Sequence, residues 1–589
     1  MSDASKKSGE QPGGIKETIT SLLIAFTVAM MFRSYVVEAF VIPTGSMAPT
    51  LLGQHMRFQS DQTGAEWSVD PWTWVSDQAP APLQGDPRFR TSSSNNPRPV
   101  VTDPMSTSVP LGAGNGSPGT ARFGYQLPPE IKPVRMGDRI LVQKYLYDVV
   151  PPERYDVVVF KNPERTSQNY IKRLLGLPGE ELWIVDGDVF ARSADVSVQD
   201  GARAAQPTGE WQIQRKPKRV QKAVWQTVFS SESTPVRPVR DGVRWFVSPW
   251  FGASWDIRDD GVYRLDDTAG ATLAWDTARW PVTNWTPYDE TPRIVGQHAQ
   301  VHGNAFFPVG DLRVRAGIKP DASGARAVVQ VRSHGHDFQC VIESGTATLR
   351  MRPRIVGDGP GDSWSTIASA EGVSLPAGEV TDVAFVRVDQ SLRLYIDGAL
   401  VTSGPYDWSP QERLRHATGL EAERLEADSA GVRQLISAAT YRPATPSIEW
   451  TFSGSPVTLY RVGLDRDLYW QPTRYLNGPR AGRPALGSHP RSTVKLREDE
   501  FFLCGDNSIA SLDGRLWTRI DPEVANQLFD LELDYETATT SEIQAAIEPH
   551  LGIVPGELVL GKAFFVYFPS PERFGRIPIP NFGEMRFIR

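Results

Sequence analysis

From Thr18 to Phe32 the chain runs fifteen residues without a charge, and no other segment is as apolar over that length. As a helix the run spans only about 22 Å, short of the roughly 30 Å hydrocarbon thickness of a bilayer. Past Arg33 the apolar pattern resumes as Tyr35, Val36, Val37 and then Ala39 to Ile42. A helix continuing into that stretch crosses a membrane if Arg33 extends its guanidinium toward the headgroups. The sequence therefore predicts a transmembrane helix over 15–39, preceded by a disordered polar tail, 1–14. Lys6, Lys7 and Lys16 precede the run, which sets the N-terminus in the cytoplasm and the rest of the chain outside. The same residues also read as a buried soluble helix or as a cleaved export signal. The lack of a small-x-small site directly after the run counts against the second.

A chain of 589 residues is too long for one compact core. Its 62 Lys and Arg against 69 Asp and Glu give a formal charge of −7, which argues against a general nucleic-acid binder. Fifty Gly, 48 Pro and 17 Trp point to turns and β-structure. Two cysteines, Cys340 and Cys504, make neither a disulfide framework nor a four-thiolate zinc site; a single bridge between them stays open. No cofactor or metal is expected.

Three segments carry chemistry. In Phe40 to Leu51, Pro43, Gly45 and Pro49 impose a bent path that holds Ser46 on a turn. In Arg154 to Glu180, Val157 to Phe160 reads as a buried strand, and Lys172 sits among apolar neighbours in Tyr170 to Leu175. A charged lysine is a poor base, but desolvation disfavours the ammonium and lowers its pKa by several units, so a buried Lys172 can deprotonate a serine. The third segment is Phe501 to Arg515. Cys504 there sits in an apolar run with no cationic neighbour and reads as a packed core cysteine. His298, His302, His334 and His336 raise the question of a metal site, but Val331 to Asp337, which holds the last two, reads as a polar turn, with no third ligand at a metal spacing.

These segments, in this order behind an apolar helix, resemble the type I signal peptidase (leader peptidase) family. Ser46 to Thr50 matches its Ser-Met-x-Pro-Thr box, Tyr170 to Gly179 its Tyr-Ile-Lys-Arg…Gly-x-Pro-Gly box, and Gly505 to Arg515 its Gly-Asp-Asn…Ser-x-Asp-x-Arg box. Met136 to Tyr145 and Leu560 to Phe565 also look like family strands. The resemblance implies an antiparallel β catalytic core, with Ser46 as nucleophile and neutral Lys172 as general base. It implies that Ser511 orients the lysine amine and that Thr44, where the family has serine, joins the Ser46 backbone N–H in an oxyanion hole. The extra methyl of threonine and its stiffer χ1 set Thr44 apart from the family pattern. Asp506, Asp513 and Arg515 match supporting charged positions, while Gly514 stands where the family often has serine. Phe40, Ile42, Pro43, Val159 and Ile171 match the walls of shallow pockets that take small side chains at −1 and −3 of an exported preprotein.

The family-like parts are the nucleophile segment 40–53, the lysine segment 135–185 and the C-terminal segment 495–589. Between them lie an insertion read as irregular, 54–134, a β-rich insertion, 186–295, a jelly-roll-like β-sandwich, 296–470, and a linker, 471–494. In the sandwich, 383–401 reads as two strands, with Asp389-Gln390 between them and Asp397-Gly398 after the second. Its pattern weakly resembles a laminin-G or concanavalin-like jelly roll. The fold class is mainly β.

Taken together, the sequence predicts a single-pass protein of the cytoplasmic (inner) membrane, its catalytic domain on the extracytoplasmic side. It would act as a Ser/Lys endopeptidase that cleaves signal peptides from exported preproteins. The bilayer and the translocation machinery are its expected partners, and nucleic acid is not. A reading from another class is a membrane-anchored glycan- or wall-binding protein on a degenerate peptidase scaffold. The intact set Ser46, Lys172 and Ser511 argues against it. A self-cleaving repressor-type Ser/Lys protease is a third reading, opposed by the apolar helix and the Gly-Asp-Asn box.

Overall fold

The computed structural model describes residues 15–70, 99–106, 126–127, 134–199, 202–240, 242–289, 293–294, 306–354, 363–427, 443–475, 480–574, 577–579 and 581–589. The expected polar tail 1–14, and His298 and His302, lie outside the described residues.

Ile15–Tyr35 forms a 21-residue helix. It stops four residues before the expected end, because β-branched Val36 and Val37 lead into the strand Val37–Val41, which pairs with Arg139–Gln143. The side chains of Leu22, Leu23, Ile24 and Phe26 are exposed, Leu22 to 70%. Among the described residues, no helix is long and apolar enough to cross a membrane.

The sheet that carries the candidate site is antiparallel. Its strand order is Val37–Val41, Arg139–Gln143, Val559–Phe568, Val157–Asn162, Arg165–Gly176, Glu500–Cys504 and Val554–Pro555. Neighbours in space thus come from the beginning, the middle and the end of the chain. The middle strands are covered on both faces. Val158, Phe160 and Leu174 belong to one apolar cluster, with Phe502, Trp517 and Val524. Val157, Val159 and Ile171 belong to another, with Ile42, Met47 and Val566. That double burial is why Val157 to Phe160 is an unbroken apolar run instead of an alternating one.

Within the segment expected to be irregular, Met56–Gln59 and Glu66–Val69 form an antiparallel hairpin, with Met56, Phe58, Trp67 and Val69 in a small core. The larger insertion is a two-sheet β-sandwich. One sheet runs Trp255–Ile257, Tyr263–Leu265, Val457–Arg466, Leu312–Pro320, Thr381–Val388, Ser391–Ile396 and Ala399–Pro405. The other runs Trp250–Phe251, Ala271–Trp275, Ser447–Ser453, Arg326–Ser333, His336–Glu343, Thr346–Pro353 and Ser365–Glu371. Their inner faces share one core, rich in Trp250, Trp275, Trp280, Phe338, Phe385 and Trp450. Strands from 226–275 sit in the same two sheets as those after 312, so the expected boundary between 295 and 296 does not separate two units. The pattern across that boundary hid this, because two strands contribute only two or three residues each. The hairpin turns do match their residues. Asp389 and Gln390 both have positive φ (46° and 51°), as do Asp397 and Gly398 (48° and 79°), as the two-residue turns favoured between twisted strands require.

A buried ionic network ties the sandwich to the site-bearing part. Arg413 reaches Asp186 (2.9 Å) and Asp188 (3.2 Å), which flank the turn between Glu180–Val185 and Asp188–Gln199, and also faces Asp311 of the sandwich (3.6 Å). Lys216 pairs with Asp389 and, at 2.8 Å, with Asp467. His334, expected in a polar turn, is buried in this network, bonded to Asp186 and Arg387, and burial holds its pKa down at about 3.

Candidate active site

Ser46 lies in a single 3₁₀ turn, Gly45–Met47, directly after the edge strand, and is 7% exposed. Lys172 lies in the strand Arg165–Gly176, opposite Val158, and is 3% exposed. The two side chains, 126 positions apart in sequence, meet with Lys172 Nζ 2.6 Å from Ser46 Oγ. Burial pushes the Lys172 pKa down to about 8.

The charges around the amine explain why burial prevails. Asp506 and Asp513 are the nearby carboxylates, and each is already engaged by a buried arginine. Arg173 grips Asp506 with Nε at 2.7 Å and Nη2 at 2.6 Å, while Thr50 Oγ1 donates to Asp506 Oδ2 at 2.6 Å. Arg515 grips Asp513 with Nε at 2.9 Å and Nη2 at 2.8 Å, and the Gly505 N–H donates to it as well. Burial works to raise the Asp513 pKa, but Arg515 and these donors hold it below the ordinary carboxylate range. Two fork-to-fork pairs absorb the negative charge that would otherwise keep Lys172 an ammonium. A pKa of about 8 leaves roughly a tenth of the molecules with a neutral amine at pH 7, against about one in three thousand at the ordinary value.

The turn itself is clamped from the Gly-Asp-Asn segment. Asn507 N donates to Ser46 O at 3.1 Å, and Asn507 Nδ2 donates to Gly45 O at 3.2 Å. Gly505 permits this approach, since a Cβ there would lie 2.4 Å from Ser46 O and 2.2 Å from Ser511 Oγ. Ser511 is buried at the site with its side chain directed at Asp513, and the expected bond to Lys172 is not formed. Thr44 is exposed and extended, and its side chain does not cap the turn it precedes. Of the expected pocket residues, Ile42, Val159 and Ile171 share one apolar cluster with Phe40 packed against it, whereas Pro43 is exposed.

Cys340 and Cys504 are free and buried, and burial raises both thiol pKa values, so neither is poised as a nucleophile. Asp188, Asp311 and Asp389 offer carboxylate oxygens within 4.8 Å of one another. Arg413 or Lys216 already faces each of them, so their charge is met by the protein itself.

Residues 132–275 match the family described as signal peptidase, peptidase S26. Over that stretch the chain is similar to the signal peptidase family. It is 24% identical over 170 residues to signal peptidase I of Rickettsia bellii, covering 29% of this chain and 37% of that one. It is 38% identical over 72 residues to signal peptidase I of Buchnera aphidicola, covering 10% and 23%. With signal peptidase I of Leptolyngbya laminosa it shares 29% over 91 residues, covering 14% and 44%. The chain thus spans less than half the length of each of these relatives.

Several residues at the site carry no motif of their own. Asp289 of the insertion accepts from Asn507 Nδ2 at 2.8 Å and from Thr286 Oγ1 at 3.1 Å, and burial pushes its pKa up to about 6. Tyr288 lies against the turn, because a Cβ on Gly45 would come 2.0 Å from its ring, and its hydroxyl donates to Gln54 O at 2.7 Å. Trp470 Nε1 donates to Gly505 O at 3.1 Å. Nothing in the sequence links these positions to a serine more than 200 residues away. Arg173 had a signal, because it neighbours Lys172 in a strand. Strand alternation alone would send one of the two to solvent, but both are buried, since the sheet is covered on both faces.

Proposed function

We propose that the chain is a membrane-anchored Ser/Lys endopeptidase that removes signal peptides from exported preproteins after small residues at −1 and −3. The observation that carries this reading is the 2.6 Å approach of a buried Lys172 amine, its pKa depressed to about 8, to the Ser46 hydroxyl. In the neutral form, Lys172 Nζ takes the Ser46 Oγ proton as Oγ attacks the scissile carbonyl carbon. The resulting oxyanion is met by the Ser46 backbone N–H, with the Thr44 hydroxyl turning in as second donor on substrate binding. The ammonium of Lys172 then protonates the departing amine, and an acyl ester remains on Ser46. A water molecule, giving its proton to Lys172, hydrolyses the ester and releases the signal peptide. In this reading Ser511 orients the amine by turning its hydroxyl from Asp513 toward Nζ, while Asp506, Asp513 and Arg515, with Arg173, keep the surroundings of Lys172 electrically balanced.

Among the described residues, the edge strand Val37–Val41 pairs only with Arg139–Gln143. Its open edge suits an extended substrate segment running toward Ser46. Phe40, Ile42, Pro43, Val159 and Ile171 would then bound the space for the −1 and −3 side chains, a wall tight enough to favour alanine. The exposed apolar side chains of Ile15–Tyr35 support anchoring of this helix in the cytoplasmic membrane, N-terminus inside, which holds the site at the height where a signal peptide leaves the bilayer. The test is cleavage of a purified preprotein by the Ser46→Ala and Lys172→Ala variants. Both are expected to lose activity by about a thousandfold or more; near-native turnover by either would overturn the assignment.

A further inference from the structure

On the outward face of the sandwich, the strands Leu312–Pro320, Thr381–Val388 and Ser391–Ile396 and the helix Lys218–Val224 enclose a groove of about 510 Å³. Lys218, Lys222, Arg313, Arg315, Arg393 and Arg461 line it, against one lining acid, Asp382. Beneath it the buried Asp465 accepts from Arg313 Nε at 2.9 Å and Arg315 Nε at 3.1 Å, and Arg461 pairs with Asp382 at 2.7 Å. Six cations against two carboxylates leave four positive charges, a local excess in a protein of net charge −7. Anchoring through Nε also sets the two guanidiniums side by side, each with further donors to offer an oxyanion.

Charge alone does not account for the rest of the lining. Gln221, also in the groove, is 2% exposed; its Nε2 donates to Asp467 at 2.8 Å, but its Oε1 is buried without a hydrogen-bond partner. That oxygen needs a donor, such as a hydroxyl, which a bare anion does not supply. Trp225 and Tyr395 add ring surface, with the Arg313 guanidinium 5.2 Å from the Trp225 ring centre. Oxyanions, hydroxyls and flat apolar ring faces occur together in acidic sugars. We propose that this groove binds an anionic glycan, taking its carboxylate or phosphate groups on the arginines and a ring hydroxyl on Gln221. The site is separate from the Ser46–Lys172 pair, and the proposal does not depend on the peptidase reading.

The experiment titrates the full chain in detergent with polygalacturonate and phosphomannan, and in parallel with neutral dextran of matched length and polyphosphate of matched charge. At least one acidic glycan is expected to bind ten times more tightly than both controls, and more weakly as salt rises. Lys222→Glu and Arg393→Glu should each lose at least tenfold in that affinity while the thermal melt stays unchanged. Tyr395→Ala, which alters no charge, should weaken binding too and serves if a charge reversal fails to fold. Binding of phosphatidylglycerol vesicles should be the same for all variants, which separates a glycan from a lipid headgroup. The proposal fails if neither acidic glycan outbinds dextran, if polyphosphate binds as tightly as the glycans, if the folded variants bind like the parent, or if only vesicle binding responds to them.

Discussion

Lys172 is costly where it stands. A shift from 10.5 to about 8 corresponds to roughly 3 kcal/mol that folding spends on keeping this amine dry. The folded state binds the proton less tightly than the unfolded chain, so stability falls as pH drops from above 10.5 toward 8, and the full penalty applies below that. Lys172→Met should therefore abolish cleavage yet raise the melting temperature at pH 6, with the gain shrinking toward pH 10.5; calorimetry at the two pH values checks this. The opposite holds for Arg173, whose loss leaves Asp506 buried beside Thr50 without its cation. Arg173→Ala is expected to destabilise by about 3–5 kcal/mol, measured by denaturant unfolding. The meeting of Ser46 and Lys172 was legible because the roles proposed for them need particular residue types within recognisable boxes. The partnership of Arg173 with Asp506 was not, because which arginine meets which carboxylate across 333 positions is decided by strand order, which local pattern does not encode.

At the scale of elements, the short turn Pro287–Asp289 of the insertion does work that its sequence does not announce. It presses Tyr288 on Gly45 and holds the amide of Asn507, which in turn holds the Ser46 turn by two backbone carbonyls. Gly45→Ala should cost about 1–3 kcal/mol through overpacking, and adding Tyr288→Ala should recover part of it in the same melt. Asp289→Ala should lower kcat about tenfold with KM changed little, since it loosens the turn and not the substrate wall, and Asp289→Asn should keep most of the activity. Burial raises the Asp289 pKa to about 6, so its proton favours the fold at low pH, and this advantage is lost as pH rises through 6. Asp289→Asn should accordingly be more stable than the parent at pH 8 and no more stable at pH 3. The hairpin turns of the sandwich, by contrast, were readable from Asp-Gln and Asp-Gly, because left-handed backbone is a local demand met by local residues.

The whole molecule is one chain in which the site-bearing sheet and the inserted sandwich hold each other in place. Arg413 and Lys216, both buried, bridge carboxylates from 186–188, 311, 389 and 467. Lys216→Ala leaves Asp389 and Asp467 uncompensated; we expect a loss of about 3–5 kcal/mol and, because Asp467 leads directly to Trp470 on Gly505, a fall in peptidase turnover as well. Mainly β architecture was foreseen from turn residues and tryptophans. The division of the insertion was not, since strands from 226–275 join sheets whose other members lie more than 200 residues further on, as Gln226 does from Arg466, and such pairings are fixed by the closing of a shared core.

The most direct measurement is the pH dependence of kcat/KM for preprotein cleavage. If a desolvated, uncharged Lys172 takes the Ser46 proton, the rate climbs with unit slope through neutrality and levels off above a pKa near 8. A profile already flat between pH 6 and 9, or a Lys172→Ala variant that keeps the parent's curve, would contradict it.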